Sequence, residues 1–441
     1  MHTIAIDCGA SFIKGAVFME DGKMLKKVQY HAPALHKDSN IMEPVQITEL
    51  LRAIKKLLRK LTEEESNGYK LCISNEMHGF LLADADGTPV TDYISWQKEY
   101  GDIVVKGHSA IEEIRENIDT EDILYTGMEL RNSLPSCNLL YLWKRGLLQR
   151  RNEEIYFYTL GDYILRELSG LEPVCHPTNA AATGLYDLRT GKWNKNLIKR
   201  YQDNGIIFPK IGCTCISFKW GGISYQAYPA IGDQQAALLG AGLHSENAIS
   251  FNLGTGAQVT RLTRSTERTS AYQIRPYFDN YYLMTIPHLP SGRALNVYFR
   301  FIKEMLRQFG LEEDDEQIWN KIIQAEKNAE DTEIKCDLSF FENPLTSSER
   351  GCVENIGEYE LTMGNLFRAV FRQMSDNFVK AADRLCDGQV RIQKLVFSGG
   401  IARRMEAVRN GIIGKYGKDI NYIVAQDETL QGLYIYSKER A

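Results

Sequence analysis

Two stretches of the chain share one layout. Residues 4–18 read IAIDCGASFIKGAVF and residues 249–260 read ISFNLGTGAQVT. In each, an apolar run ends at a short polar residue, Asp7 or Asn252. The chain then passes through small residues that include Gly9 or Gly254 and enters a second apolar run. Short apolar runs bounded by glycine predict strands, so each stretch predicts a strand, a tight turn and a second strand. The same unit opens the chain and restarts it beyond its midpoint, so the fold must accommodate two related halves. A chain of 441 residues also exceeds what one core supports and suits two domains. The expected division follows Gly242, near residues 243–246, giving domains at 1–243 and 244–441.

A tight turn between strands exposes successive backbone N–H groups, and small residues let an anion approach them closely. The first turn, DCGAS, adds a carboxylate. Asp7 would repel a phosphate, so its expected partner is a divalent cation, Mg²⁺ held through water, of the kind that accompanies nucleotide phosphates. Ser11 and Lys14 can add donors. The second turn, NLGTG, lacks the carboxylate and is expected to hold phosphate through its N–H groups and Thr255. A single Asp-x-Gly is more often a plain hairpin turn. Two copies at the domain starts, with a third turn at Gly399-Gly400, favour a clamp on a nucleotide. No G-x-x-x-x-G-K-[ST] occurs, and no G-x-G-x-x-G leads from a strand into a helix, so neither the P-loop nor the dinucleotide fold applies.

The rest of the chain excludes other classes. The net charge is −5, which gives no electrostatic footprint for nucleic acid. The basic run AIKKLLRKL has apolar residues at helical spacing, so its lysines belong to an outer helix face. No apolar run of about 18 residues is present to span a bilayer, and the N-terminus enters a strand with no secretory pattern. The nine cysteines are scattered, which predicts reduced thiols and a cytoplasmic protein. Helical patterns dominate from about residue 105 to 170, and further helices are expected over 297–309 and 361–385. The whole reads as an α/β chain. AIGDQQAALLG places Asp233 at a helix start. Asp is a common N-cap, yet a carboxylate there can also serve a phosphoryl-transfer enzyme by taking the proton of the attacking hydroxyl.

Taken together, seven segments in order resemble the FGGY family of carbohydrate kinases, within the actin, sugar-kinase and heat-shock-chaperone superfamily. They are IAIDCGASFIK; NEMHGFLLADADGTPVTDYISWQ, similar to a segment of xylulokinases and, in its Trp-Gln, of sedoheptulokinases; LGDYILRELSG with HPTNAAATGLYDLRTGKWN; AIGDQQAALLGAGL; SFNLGTGAQV; FENPLTSSERG; and LVFSGGIARR. The resemblance spans almost the whole chain. It implies two ribonuclease-H-like (actin-like ATPase) domains, each with a mixed five-stranded sheet, closing over a cleft. It further implies ATP and Mg²⁺ as cofactors, a small-molecule ketose as substrate, and dimerisation at the level of the family. By matching positions, Asp233 is the base for a sugar hydroxyl and Asp7 the water-mediated Mg²⁺ site. Gly9, Ser11 and Lys14 line the first phosphate turn, and Gly254, Thr255 and Gly256 hold the terminal phosphates. Gly399, Gly400 and Arg403 border the adenosine. Met77, His78, Trp96 and Gln234 join Asp233 on the sugar side.

Four departures bear on the substrate. Gln97-Lys98 stands where the family has an amide followed by Asp, Gln234 where xylulokinases have Asn, and the second half is short. ETLQGLYIYS lacks the usual Gly-Ala-Ala character, and Leu433 and Tyr434 are expected to narrow the adenine side or shift the helix. The competing function is a sugar- or nucleotide-sensing protein on the same fold with decayed chemistry. An actin- or chaperone-like ATPase would leave the MHG and GDQQAA segments without a role.

Overall fold

The computed structural model describes residues 1–33, 40–63, 68–148, 154–254, 256–269, 271–388, 390–417 and 419–439. Each expected strand–turn–strand unit sits at the centre of a mixed sheet. In the first half, strand His2–Cys8 pairs antiparallel with Phe12–Phe18 and, on its other side, parallel with Tyr69–Asn75. In the second, Ala248–Asn252 pairs antiparallel with Ala257–Thr263 and parallel with Lys394–Ser398. The registers also correspond: Asp7 lies opposite Ser74, and Asn252 opposite Ser398.

The sheets are wider than the five strands expected. The first has seven strands, because the hairpin Ile216–Trp220/Ile223–Ala227 extends one edge and Ile231–Gly232 also pairs with Tyr69–Asn75. The second has six, its outer edge lengthened by Gln273–Pro276. These additions are strands of five residues or fewer, too short for periodicity to assign their place in a sheet.

The helix Val45–Leu61 forms over the basic run as its spacing predicts, burying Ile47, Leu51, Ile54, Leu57, Leu58 and Leu61 against the first sheet. The central strands supply the Ile-rich inner face of that core, and a separate core underlies the second sheet. Helix Leu160–Ser169 stops at Gly170, whose φ of 71° suits glycine. The helices expected over 297–309 and 361–385 run Gly292–Gln308 and Met363–Cys386. Among the described residues no helix is long and apolar enough to cross a membrane. All nine cysteines are free thiols.

A third apolar layer joins the halves. It combines Ala5, Ala16 and Phe18 of the first sheet, Leu262 and Leu283 of the second, Leu239 of helix Asp233–Gly240, and Leu433 and Tyr434 of the last helix, Glu428–Glu439. This corrects the expectation for Leu433 and Tyr434. Leu433 is fully buried in this layer, while Tyr434 stacks on Phe18 at 5.1 Å and donates its hydroxyl to the Glu20 carbonyl at 2.8 Å. The last helix is held on the first sheet, so these side chains fill its core. The small-residue character missing from the motif reappears in a crossing of two glycines. A Cβ on Gly432 would overlap the Ala236 carbonyl oxygen, and one on Gly240 the Glu428 carbonyl oxygen. The two helices therefore touch backbone to backbone. Gly432→Ala is expected to destabilise the protein by about 3 kcal/mol or more, since no flexible side chain can yield. The readout is a lower urea midpoint at unchanged slope, set against Leu361→Ala on the surface as control.

Candidate active site

Asp233 is the first residue of helix Asp233–Gly240, and Gly232, in extended conformation, is the N-cap. The carboxylate therefore does not cap the helix from outside, as a common N-cap Asp would; its Oδ1 accepts from the neighbouring Gln234 N–H at 2.7 Å. A Cβ on Gly232 would collide with Gln235 and crowd the Met77 sulfur at 3.1 Å, so glycine lets the helix start close against Met77. Burial, then the negative charges of Asp7 and Glu76, push the Asp233 pKa up to about 7, with Arg275 opposing.

Asp7 is buried at the end of the first central strand. It accepts from the Ser74 hydroxyl at 3.0 Å, and Lys14 faces it across the strand pair in register. Burial raises its pKa to about 6, against the help of Ser74 and Lys14, and Glu428 of the last helix adds to the rise. A carboxylate so crowded is well suited to a cation. Among the described residues no group of three His, Cys, Asp or Glu side chains could hold a metal. The donor set thus fits only an ion that brings ligands from water or bound phosphate, as Mg²⁺ does. In the adjoining turn, Gly9 N–H bonds to the Phe12 carbonyl at 3.1 Å, and Ala10 and Ser11 are exposed.

His78 adopts φ 65°, and its Nδ1 lies 2.7 Å from the Ala182 carbonyl. A carbonyl only accepts, so Nδ1 carries the proton and Nε2 is left as an acceptor. Burial, with Arg131 and Arg275, keeps the ring neutral. Trp96 is 45 % exposed, and its indole faces Glu76. Gln234 binds Arg275 through its Oε1. Lys98 is buried, and its carbonyl accepts from Asn138.

The second turn and the Gly-Gly turn are stitched together. Leu253 N–H donates to the Ser398 carbonyl at 2.9 Å, and Ile401 N–H to the Leu253 carbonyl at 3.0 Å. Gly399 has φ 90°, and a Cβ there would lie 2.5 Å from the Leu253 oxygen, so glycine is required. Gly254 is half-buried, its carbonyl accepting from Gly292, while Gly256 and Gly400 are exposed with open space before them. Arg403 is exposed on the short helix Gly400–Arg404, its guanidinium directed to the Ala425 carbonyl at 3.5 Å. Thr255 lies outside the described residues.

Several groups escaped the sequence reading. Glu76 is buried, with burial raising its pKa to about 7 against the help of Tyr93 and Trp96. Its position beside Met77-His78 was the available signal. Arg131 lies in the region read as helical, and Gln273, Arg275 and His288 lie in a stretch that carries no motif.

Residues 2–219 match the FGGY family of carbohydrate kinases, N-terminal domain. The chain belongs to the FGGY family of carbohydrate kinases. This family member is 20 % identical to the sedoheptulokinase of Mus musculus, in an alignment covering 93 % of this chain and 92 % of the relative. It is 22 % identical to the xylulose kinase of Staphylococcus xylosus, over 60 % of this chain and 56 % of the relative. Its fold matches that of the ligand-bound xylulose kinase from Lactobacillus acidophilus. The TM-score is 0.80 at 18 % identity, over all of this chain and 89 % of that one. The α/β architecture is thus that of two actin-like ATPase domains.

The raised Asp233 pKa has a consequence for stability. Folded Asp233 keeps its proton up to about pH 7, whereas the unfolded carboxyl loses it near its ordinary 3.8. Between those values the folded state binds more protons, so the contribution falls as pH rises from 4 to 7 and is flat above. Asp233→Asn is expected to be about 1–3 kcal/mol more stable than the natural protein at pH 8. That advantage should vanish below pH 4, as denaturant titration across pH will report.

Proposed function

We propose that this FGGY-family chain transfers the γ-phosphate of ATP to a hydroxyl of a ketose, with Asp233 as general base. The observation that carries the reading is that Asp233 starts its helix close against Met77, feels the charges of Asp7 and Glu76, and shares Arg275 with His78. The two relatives named for sedoheptulose and xylulose support a ketose acceptor.

In this reading the sugar hydroxyl gives its proton to Asp233 as its oxygen bonds the γ-phosphorus, and the bond to the β-phosphate oxygen breaks. His78 Nε2 is an acceptor for a substrate hydroxyl, and the exposed Trp96 face supplies a wall. The turns at Gly9–Ser11 and Gly254–Gly256, with Lys14, bind phosphate oxygens, and Gly399, Gly400 and Arg403 border the adenosine. Asp7 would hold Mg²⁺ through water, and the ion would neutralise phosphate charge. The division into domains at 1–243 and 244–441, the cytoplasmic location and the homodimer belong to the same proposal. A sensor with decayed chemistry would have no use for a base held near neutrality.

Asp233→Ala is expected to lower kcat by about 10²–10⁴-fold while leaving ATP binding nearly intact, measured by coupled ADP release and by titration calorimetry. Full turnover in that variant would remove the base assignment. In the natural protein kcat/KM should rise with pH through the region near 7 and then level. The apparent value belongs jointly to Asp233, Glu76 and Asp7, which share one electrostatic neighbourhood.

A further inference from the structure

The segment HPTNAAATGLYDLRTGKWN has no residue in the reaction described above. Its first part forms the short helix Pro177–Ala182, buried from Thr178 to Ala182. One set of hydrogen bonds ties this helix to the turn that carries Met77 and His78. Asn179 Nδ2 donates to Asn75 Oδ1 at 3.0 Å, and Asn75 Nδ2 returns a longer bond to Asn179 Oδ1 at 3.4 Å. Asn75 Nδ2 also donates to the Glu76 carbonyl at 2.8 Å, and the Ala182 carbonyl accepts from His78 Nδ1 at 2.7 Å. A second set reaches the start of the Asp233 helix. Asn179 Nδ2 donates to the Ala230 carbonyl at 2.9 Å, and the Thr178 hydroxyl accepts from Gly232 N–H at 3.2 Å.

Both amides have one possible orientation. The Glu76 and Ala230 carbonyls only accept, so each requires an amide nitrogen facing it. Asn75 and Asn179 are each 2 % exposed. Gly161 packs directly against them: a Cβ there would lie 2.4 Å from Asn75 Oδ1 and 2.2 Å from the Ala230 Cβ. The strand that leads into Asp233, Ile231–Gly232, has two residues, with Gly232 opposite Asn75. So short a strand is held by few ladder bonds of its own, and Asn179 supplies a further tie. Ala180 and Ala181 of the same helix pack into the core of the second half, which anchors the helix away from both segments it joins.

We propose that Asn179, paired with Asn75, is a positioning residue that sets the spacing between Asp233 and the Met77-His78 turn. It acts through Asn75 and the Ala230 carbonyl. That this spacing governs turnover rests on the reading of Asp233 as base; that the spacing depends on Asn179 does not.

The test reads the two separately. Asn179→Ala removes the bonds, and Asn179→Leu removes them while keeping most of the volume, which leaves a second variant where the first does not fold. With ATP and D-xylulose or sedoheptulose, each is expected to lower kcat by about 10- to 100-fold with the sugar KM nearly unchanged. Because the amides act as a pair, Asn75→Ala/Asn179→Ala should lose little more than the worse single variant. Val370→Ala truncates the second core, controls for lost stability and should keep kcat. Hydrogen exchange reads the spacing without turnover: in the Asn179 variants, residues 76–79 and 230–234 should both exchange faster than in the natural protein. The proposal is overturned if kcat matches the natural protein, if the losses at Asn75 and Asn179 are independent, or if exchange rises in only one segment or in neither. Asp233→Ala is measured alongside. Full turnover in that variant would remove the base reading, while the paired change in exchange would still stand or fall on Asn179.

Discussion

Asp233 can lie near both Met77 and Asp7 only because its helix is pinned. Helix Asp233–Gly240 meets the last helix, Glu428–Glu439, where Gly240 and Gly432 let two backbones touch. Close-packed interiors transmit such constraints because they have no slack to absorb a shift. The last helix reaches the first sheet only after the chain has built the second one, and it brings Leu433 and Tyr434 into a layer shared by both halves. One crossing therefore ties together the end of the chain, Asp233 and the strand that carries Asp7.

The same compactness sets the electrostatics. Asp7, Glu76 and Asp233 come from the ends of two central strands and the start of a helix, where the fold buries them near one another. Burial raises all three pKa values, with like charges adding to the rise at Asp233. Arg275 opposes that rise, and it shares an electrostatic neighbourhood with Arg131 and His288. Asp233 is thus acted on by acids and by a buried guanidinium at once. That polarity suits a reaction in which a hydroxyl must lose a proton beside a phosphate.

The frame was legible because it rests on local rules. The duplicated strand–turn–strand units, the amphipathic helix over residues 45–61 and the stop at Gly170 follow from short-range periodicity and from glycine's access to positive φ. The edge strands were not legible, since a five-residue strand has no marker for its partner. Within the site, Met77, His78 and Asp233 could be named because each sits in a contiguous motif. Arg131, Gln273, Arg275 and His288 could not, because they are single residues on separate segments. Glu76 stands beside Met77 in the same motif, but nothing local marks an acid at a strand end as buried.

What the sequence determined by itself is the repeated pair of tight glycine turns between strands, and with it an α/β chain of two related halves, because such turns depend only on neighbouring residues and backbone sterics. The tertiary structure alone decided which charges surround Asp233 and that the final helix belongs to the first sheet's core. Burial, amide orientation and the contact of two glycine backbones are properties of groups that meet across hundreds of residues, and no local pattern encodes them.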